Sequence, residues 1–238
     1  MSTTILGQHH FKIIGHRGAM GYELENTRAS FEKAIEMKVD MIELDVFKCA
    51  SGEIVVFHDE NLERLGNSDA NIESLTLDEI KKNSLNNGEI IPTLEEILGL
   101  LNGRVALNIE LKGKETSSGT LALIDKFVIR NNWKFNDFII SSFDWDELKA
   151  MREISPTIAI AVLTEEAPRN AIPIAKELNA IAINPWYKKL SATDVREIHA
   201  ANLKIFAYTV NKPSSIRKMK KFNIDGIFTN FPDIARNQ

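Results

Sequence analysis

A chain of 238 residues, 44% hydrophobic and 26% charged, has the size of one α/β barrel and can bury the large core such a fold needs. Its 29 basic and 33 acidic side chains leave a net charge of −4, which gives no basic stripe for nucleic acid and no bulk attraction to an anionic membrane. One cysteine, Cys49, excludes an intrachain disulfide and a zinc–thiolate cluster. Residues 1–11 carry neither the basic start nor the apolar run of a signal peptide, and no apolar stretch approaches the roughly 20 residues of a membrane-spanning helix. These features predict a globular cytoplasmic enzyme with a small-molecule substrate and no stable membrane insertion.

Short apolar runs rich in β-branched residues alternate with amphipathic stretches. The chain opens with a predicted strand at 11–15, a helix at 27–38 and a strand at 40–47. A long interval, 48–103, follows in place of a single helix. It holds an extra strand at 53–57, loops at 66–72 and 83–88, a short helix at 74–82 and a crossover helix at 93–101. The regular alternation then resumes. Strands are predicted at 104–111, 138–142, 157–163, 180–184, 204–210 and 225–229. Helices lie between them at 118–131, 144–154, 168–178, 191–201 and 213–222. Asp144 with Glu147 and Thr93 with Glu96 are helix-start signals, and Pro168 and Pro213 suit first-turn positions.

Eight strands joined by helices predict parallel pairing with right-handed crossovers, closed as a (β/α)8 TIM barrel over residues 1–238. The interval 48–103 reads as an insertion between the second and third barrel strands, on the active-site side. A doubly wound open sheet is the rival, but Gly15-His-Arg-Gly18 lacks the GxGxxG pattern of a dinucleotide turn.

Catalytic groups of such barrels sit at the C-terminal ends of strands, so the polar residues there are informative. The first strand ends in Gly15-His16-Arg17-Gly18. The second carries Glu43-Leu44-Asp45 and the third Glu110-Leu111-Lys112. Alternation puts Glu43 with Asp45, and Glu110 with Lys112, on one face, and turns Leu44 and Leu111 towards the helices. Three carboxylates converging in one barrel mouth repel each other and lose their hydration, a cost that a bound divalent cation removes. All-oxygen ligation points to Mg2+ or Ca2+ rather than zinc.

His16 and His58 complete the set. Imidazole titrates near neutrality, so two of them can serve as acid and base in one displacement. Arg17 offers a fork for a phosphoryl group and Lys112 a point charge, which fits an anionic substrate such as a phosphodiester. Phe143, Trp186 and Tyr208 stand at or just past strand ends, where they can wall a substrate pocket. His9, His10 and His199 have no such company and read as surface or packing residues. Asn26 and Thr27 read as caps of the first helix, and Asn230 and Pro232 as formers of the turn after the last strand.

His16-Arg17-Gly18, Glu25-Asn26-Thr27, Glu43-Leu-Asp45, His58-Asp59, Glu110-Leu-Lys112 and Asp225-Gly-Ile-Phe-Thr229-Asn230-Phe-Pro232 together resemble the glycerophosphodiester phosphodiesterases of the cytoplasmic bacterial type. Each motif alone is weak. The ordered set, from about Ile13 to Asp233, is specific. The resemblance implies hydrolysis of glycerophosphodiesters to sn-glycerol 3-phosphate and an alcohol. It implies Glu43, Asp45 and Glu110 as metal ligands, with Glu25 as a further ligand or a positioning group. It also implies His16 and His58 as the acid–base pair and Arg17 and Lys112 as the phosphate holders. The chain departs from the family pattern at Leu24, where proline is usual, at Leu65-Gly66 after Arg64, and at Tyr208, where tryptophan is common. These positions bear on the pocket lining and hence the substrate, not on the chemistry. A lysophospholipase D on the same barrel is the neighbouring alternative, for which Ile90, Ile91 and Leu94 of the insertion would supply the apolar lip.

Overall fold

The computed structural model describes residues 10–66 and 68–238, over which strands and helices alternate as the patterning predicts. The elements are β1 (Lys12–Gly15), α1 (Arg28–Glu36), β2 (Met41–Lys48), β3 (Ile54–Val56), α2 (Leu77–Lys82), α3 (Leu94–Leu101), β4 (Ala106–Leu111) and α4 (Thr116–Arg130). They continue with β5 (Phe138–Ser142), α5 (Trp145–Ile154), β6 (Ala159–Thr164), α6 (Ile172–Glu177), β7 (Ala182–Pro185) and α7 (Ala192–Ala200). The chain ends with β8 (Lys204–Ala207), α8 (Pro213–Lys221), β9 (Gly226–Thr229) and α9 (Pro232–Arg236).

Caps fix where the helices begin. Thr27 Oγ1 accepts from Ser30 N at 3.2 Å, and Asp144 Oδ1 accepts from Asp146 N at 2.9 Å. Thr76, Thr93 and Ser191 each trade hydrogen bonds with the acidic residue three positions on, satisfying two orphan N–H groups at once. Two expectations need correction. The helix read at 168–178 is a 3-10 turn at Pro168–Ala171 that runs into a six-residue α6. The residues after the last strand, read as a turn, form the short helix α9, started by Pro232 in its first turn.

Eight strands make the ring: β1, β2 and β4 to β9 pair in parallel, and β1 closes it by pairing with both β2 and β9. This is a (β/α)8 TIM barrel. β3 stands outside the ring, antiparallel to the end of β2, with Val46 opposite Val56 and Lys48 opposite Ile54. Alternation sorts the side chains. Ile42, Leu44, Val46, Leu107, Ile109 and Leu111 pack outward with the helices, while Ile14, Met41, Ile139, Ala161, Ala182, Phe206 and Phe228 fill the inside. One step further up the same faces come Glu43, Asn108 and Ser141, where the interior turns polar.

Between β2 and β4, the chain builds a satellite core from Phe47, Cys49, Val55, Phe57, Leu62, Leu65, Ile72, Ile80, Leu85 and Ile91. The backbone bond from Phe57 N to Asp45 O (3.1 Å) ties it to the barrel mouth, and that from Val56 N to Pro92 O (2.8 Å) joins its two ends. No helix among the described residues is long and apolar enough to cross a membrane.

Candidate active site

At the C-terminal ends of the barrel strands lies a cavity of about 360 Å3 whose wall includes His16, Arg17, Glu43, His58, Glu110 and Lys112. Glu43 and Asp45 are two apart on β2, and Glu110 stands opposite Asp45 in the register of β4. One oxygen from each of the three lies within 4.8 Å of the other two. Burial and repulsion raise the proton affinity of the two glutamates. Glu43, which is 3% exposed, is held well above the usual carboxylate range by burial and then by the charges of Asp45 and Glu110. Glu110 is pushed up to about 8 by burial and by Asp45, against the pull of Lys112 and Arg17. Three convergent carboxylates, two buried and one half-buried, are matched to a hard divalent cation.

Arg17 binds this acidic group from above. Its backbone takes the left-handed conformation (φ 49°), which turns its N–H to Glu43 Oε2 at 2.7 Å. Its guanidinium donates through Nη1 to Glu25 Oε1 at 2.6 Å and places Nε 3.3 Å from Asp45 Oδ2. Lys112 Nζ lies 3.4 Å from Glu110 Oε1 and 3.3 Å from His58 Nε2.

The two histidines are held differently. His16 Nδ1 lies 2.8 Å from Asn230 Oδ1, an acceptor, so Nδ1 carries the proton and Nε2 keeps its lone pair. Burial and the neighbouring Arg17 charge lower its pKa to about 4, leaving the ring neutral. His58 follows β3 and lies 2.6 Å from Asp59 Oδ1 through Nδ1. Burial lowers its pKa as well, while Asp45 and Asp59 act in the other direction. Asp59 is itself anchored, accepting from Arg64 Nε at 2.6 Å. The other edge of Arg64 forks onto Glu25, with Nη1 2.8 Å from Oε2 and Nη2 2.7 Å from Oε1. A continuous chain of charge-assisted bonds therefore runs from His58 through Asp59, Arg64 and Glu25 to Arg17.

The structure gathers His16, His58, Arg17, Lys112, Glu43, Glu110, Phe143 and Tyr208 on one cavity wall, with Asp45 in the carboxylate group beneath. Glu25 lies outside that group, both its oxygens taken by Arg17 and Arg64. Trp186 does not line the cavity; its ring carries the Lys188 ammonium at 5.0 Å. His10 pairs with Asp40 and His199 with Asp225, away from the site, and His9 lies outside the described residues.

Two sequence readings are corrected here. Asn26 does not cap α1; its Nδ2 donates to Asp45 Oδ2 at 2.9 Å. Asn230 does more than shape a turn, since it sets the His16 tautomer. Arg64 and Glu165, the latter also on the cavity wall, were not singled out as site residues. Arg64 had a signal, five residues after Asp59 in a conspicuous motif. Glu165 had none beyond following a predicted strand.

A closed parallel barrel with caged acids below and fixed cations above defines a TIM-barrel hydrolase of phosphate esters. Residues 16–234 match the Glycerophosphoryl diester phosphodiesterase family. YhdW of Bacillus subtilis is 34% identical over 232 residues, covering 93% of this chain and 95% of that protein. The glycerophosphodiester phosphodiesterase of Caldanaerobacter subterraneus subsp. tengcongensis is 32% identical over 234 residues, 94% of this chain and 96% of its own. A phosphodiesterase of Oleispira antarctica, solved with its product sn-glycerol-3-phosphate, superposes with a TM-score of 0.86 at 27% identity, covering 95% of each chain. The chain belongs to the glycerophosphoryl diester phosphodiesterase family and is a glycerophosphodiester phosphodiesterase.

Proposed function

We propose that the enzyme hydrolyses glycerophosphodiesters to sn-glycerol 3-phosphate and an alcohol, using a divalent cation and the histidine pair. The observation that carries this reading is the stacking of functions in one cavity, with the carboxylates Glu43, Asp45 and Glu110 beside Arg17 and Lys112 and both imidazoles on the same wall. Glu43, Asp45 and Glu110 would hold Mg2+ or Ca2+, which when bound neutralises charge on the phosphoryl oxygens. Arg17 and Lys112 bind those oxygens with donors fixed in advance, so little reorganisation is needed as charge develops.

The two rings divide the proton work. His16 is neutral with a free Nε2, which suits it to take the proton from the attacking hydroxyl, whether of water or of the substrate's own glycerol. The new oxygen–phosphorus bond forms as the bond to the departing alcohol breaks. His58, whose protonated form Asp45 and Asp59 favour against burial and the Arg17 and Lys112 charges, delivers the proton to that alcohol oxygen. Glu25 positions Arg17, and Arg64 holds Glu25 and Asp59 in register.

An acyl chain would find no lip in the insertion. Ile91 and Leu94 are buried, and Ile90 lies on a different groove. The test is release of glycerol 3-phosphate from a panel of glycerophosphodiesters and lysophospholipids, before and after chelation, with Mg2+, Ca2+ or Mn2+ added back. Diester hydrolysis that stops on chelation and returns with metal is the expected result. A rate indifferent to the chelator rejects the cation, and exclusive turnover of lysophospholipids rejects the substrate class.

A further inference from the structure

The cavity wall is divided by charge. Its basic side chains belong to one side: His16 and Arg17 after β1, His58 after β3, and Lys112 after β4. In the ring of eight, β6 is four strands from β1 in either direction, so the residues that follow it face His16 and Arg17 across the mouth. Glu165 stands there. It lines the cavity, is solvent-exposed, and makes no hydrogen bond or ion pair among the described residues. Besides the buried Glu43 and the half-buried Glu110, it is the one carboxylate lining this cavity among the described residues.

Two aromatic rings share that wall. Phe143, after β5, is 40% exposed, a large apolar side chain kept open to the cavity. Tyr208, after β8, meets it edge to face, with centroids 5.7 Å apart and planes at 88°. The Tyr208 hydroxyl donates to Thr164 O at 3.1 Å, next in sequence to Glu165. Burial and then the Glu165 charge push the Tyr208 pKa upward, which places that charge close to the phenol. Two perpendicular rings beside a carboxylate with no cationic partner are the surroundings that an ammonium group seeks.

We propose that Glu165, Phe143 and Tyr208 form a subsite for a cationic leaving alcohol, so that the enzyme favours diesters of ammonium-bearing alcohols over those of neutral polyols. The inference rests on the glycerophosphodiester hydrolysis proposed above and adds a chemical preference to it. With the phosphate held on the Arg17 side, the alcohol end of the substrate extends towards the opposite wall. A quaternary or primary ammonium there meets the carboxylate and the ring faces, while a polyol meets groups that offer it little.

The experiment compares kcat/KM for sn-glycero-3-phosphocholine with that for sn-glycero-3-phosphoglycerol, in the wild type, Glu165→Gln and Glu165→Lys. The ratio of the two is expected to fall about fivefold in Glu165→Gln, the size of a partly solvated ion pair with its ring contacts, and further in Glu165→Lys. The loss appears in KM for the choline ester. A ratio that moves less than about twofold in both variants overturns the subsite while leaving the hydrolytic reading intact. A wild type that hydrolyses neither diester overturns that reading and the subsite with it.

Discussion

The lower and upper halves of the barrel interior are built on the same strand faces and do opposite work. Below, Ile14, Met41, Ile139, Ala161, Ala182, Phe206 and Phe228 close the ring with packed apolar volume. Further along β2 and β4, the same alternation delivers Glu43, Asp45 and Glu110, and burial favours the protonated forms of the two glutamates. The lower layer stabilises the fold that holds the upper layer together. The upper layer is a local instability maintained for its chemistry.

The sharpest break of this comparison is in rate. His16→Ala and His58→Ala should each reduce turnover by about 10^2- to 10^4-fold, the usual scale of acid–base catalysis, with thermal unfolding nearly unchanged. Steady-state kinetics with either variant close to wild type would end the two-histidine assignment. The mirror-image change lies in the lower layer. Phe206→Ala should cost roughly 3–5 kcal/mol in denaturant unfolding, since a fully packed ring leaves a cavity behind. At temperatures where the variant stays folded, its pH–rate profile should match that of the wild type.

Next comes the pH dependence of stability without metal. Glu110 has a folded pKa of about 8 against an ordinary 4.5. Its contribution is therefore complete below pH 4.5 and is lost as pH rises towards 8. His16, lowered to about 4 from 6.5, contributes fully above pH 6.5 and loses its contribution as pH falls towards 4. The metal-free protein should melt highest where the two windows overlap, between about pH 4.5 and 6.5. Glu110→Gln should flatten the alkaline limb, and added Mg2+ or Ca2+ should raise the wild-type melting temperature more at pH 8 than at pH 5. An alkaline limb that survives in Glu110→Gln would show that the strain resides elsewhere.

A smaller effect on rate than that of the histidines is expected for Arg64→Ala, at about tenfold in kcat/KM, because Arg64 acts through Glu25 and Asp59. Arg64→Lys should recover only part of it, since an ammonium cannot fork onto a carboxylate. Equal activity in Arg64→Lys and the wild type would reduce Arg64 to a surface charge.

The upper layer was legible in the sequence where its residues are neighbours along a strand. Glu43 and Asp45, or Glu110 and Lys112, share a face by alternation alone. His16 and Arg17 follow a strand directly, so topology placed them. Partner choice was not legible. Asn26, next to a capping threonine, spends its amide on Asp45, and Asn230 reaches back across 214 positions to His16. Nothing local distinguishes these from turn asparagines; only closure of the ring brings the partners together. The same limit applies to element ends. The strand predicted to run to residue 210 ends its regular ladder at Ala207, and beyond it pairing with the neighbouring strands continues only as single bonds, from Tyr208 N to Pro185 O and from Val210 N to Phe228 O.

The bond from Phe57 N to Asp45 O joins the segment that carries His58 to the strand that carries the carboxylates, and it is made wholly of main chain. No side-chain replacement other than proline at position 57 deletes it, so the spacing between proton donor and carboxylate cage is largely insulated from mutational drift. Phe143, Glu165 and Tyr208 have no comparable tether to the cage, so a change in their size or charge leaves the cage in place. Selection can therefore retune which alcohol this barrel accepts while the reaction it performs stays fixed.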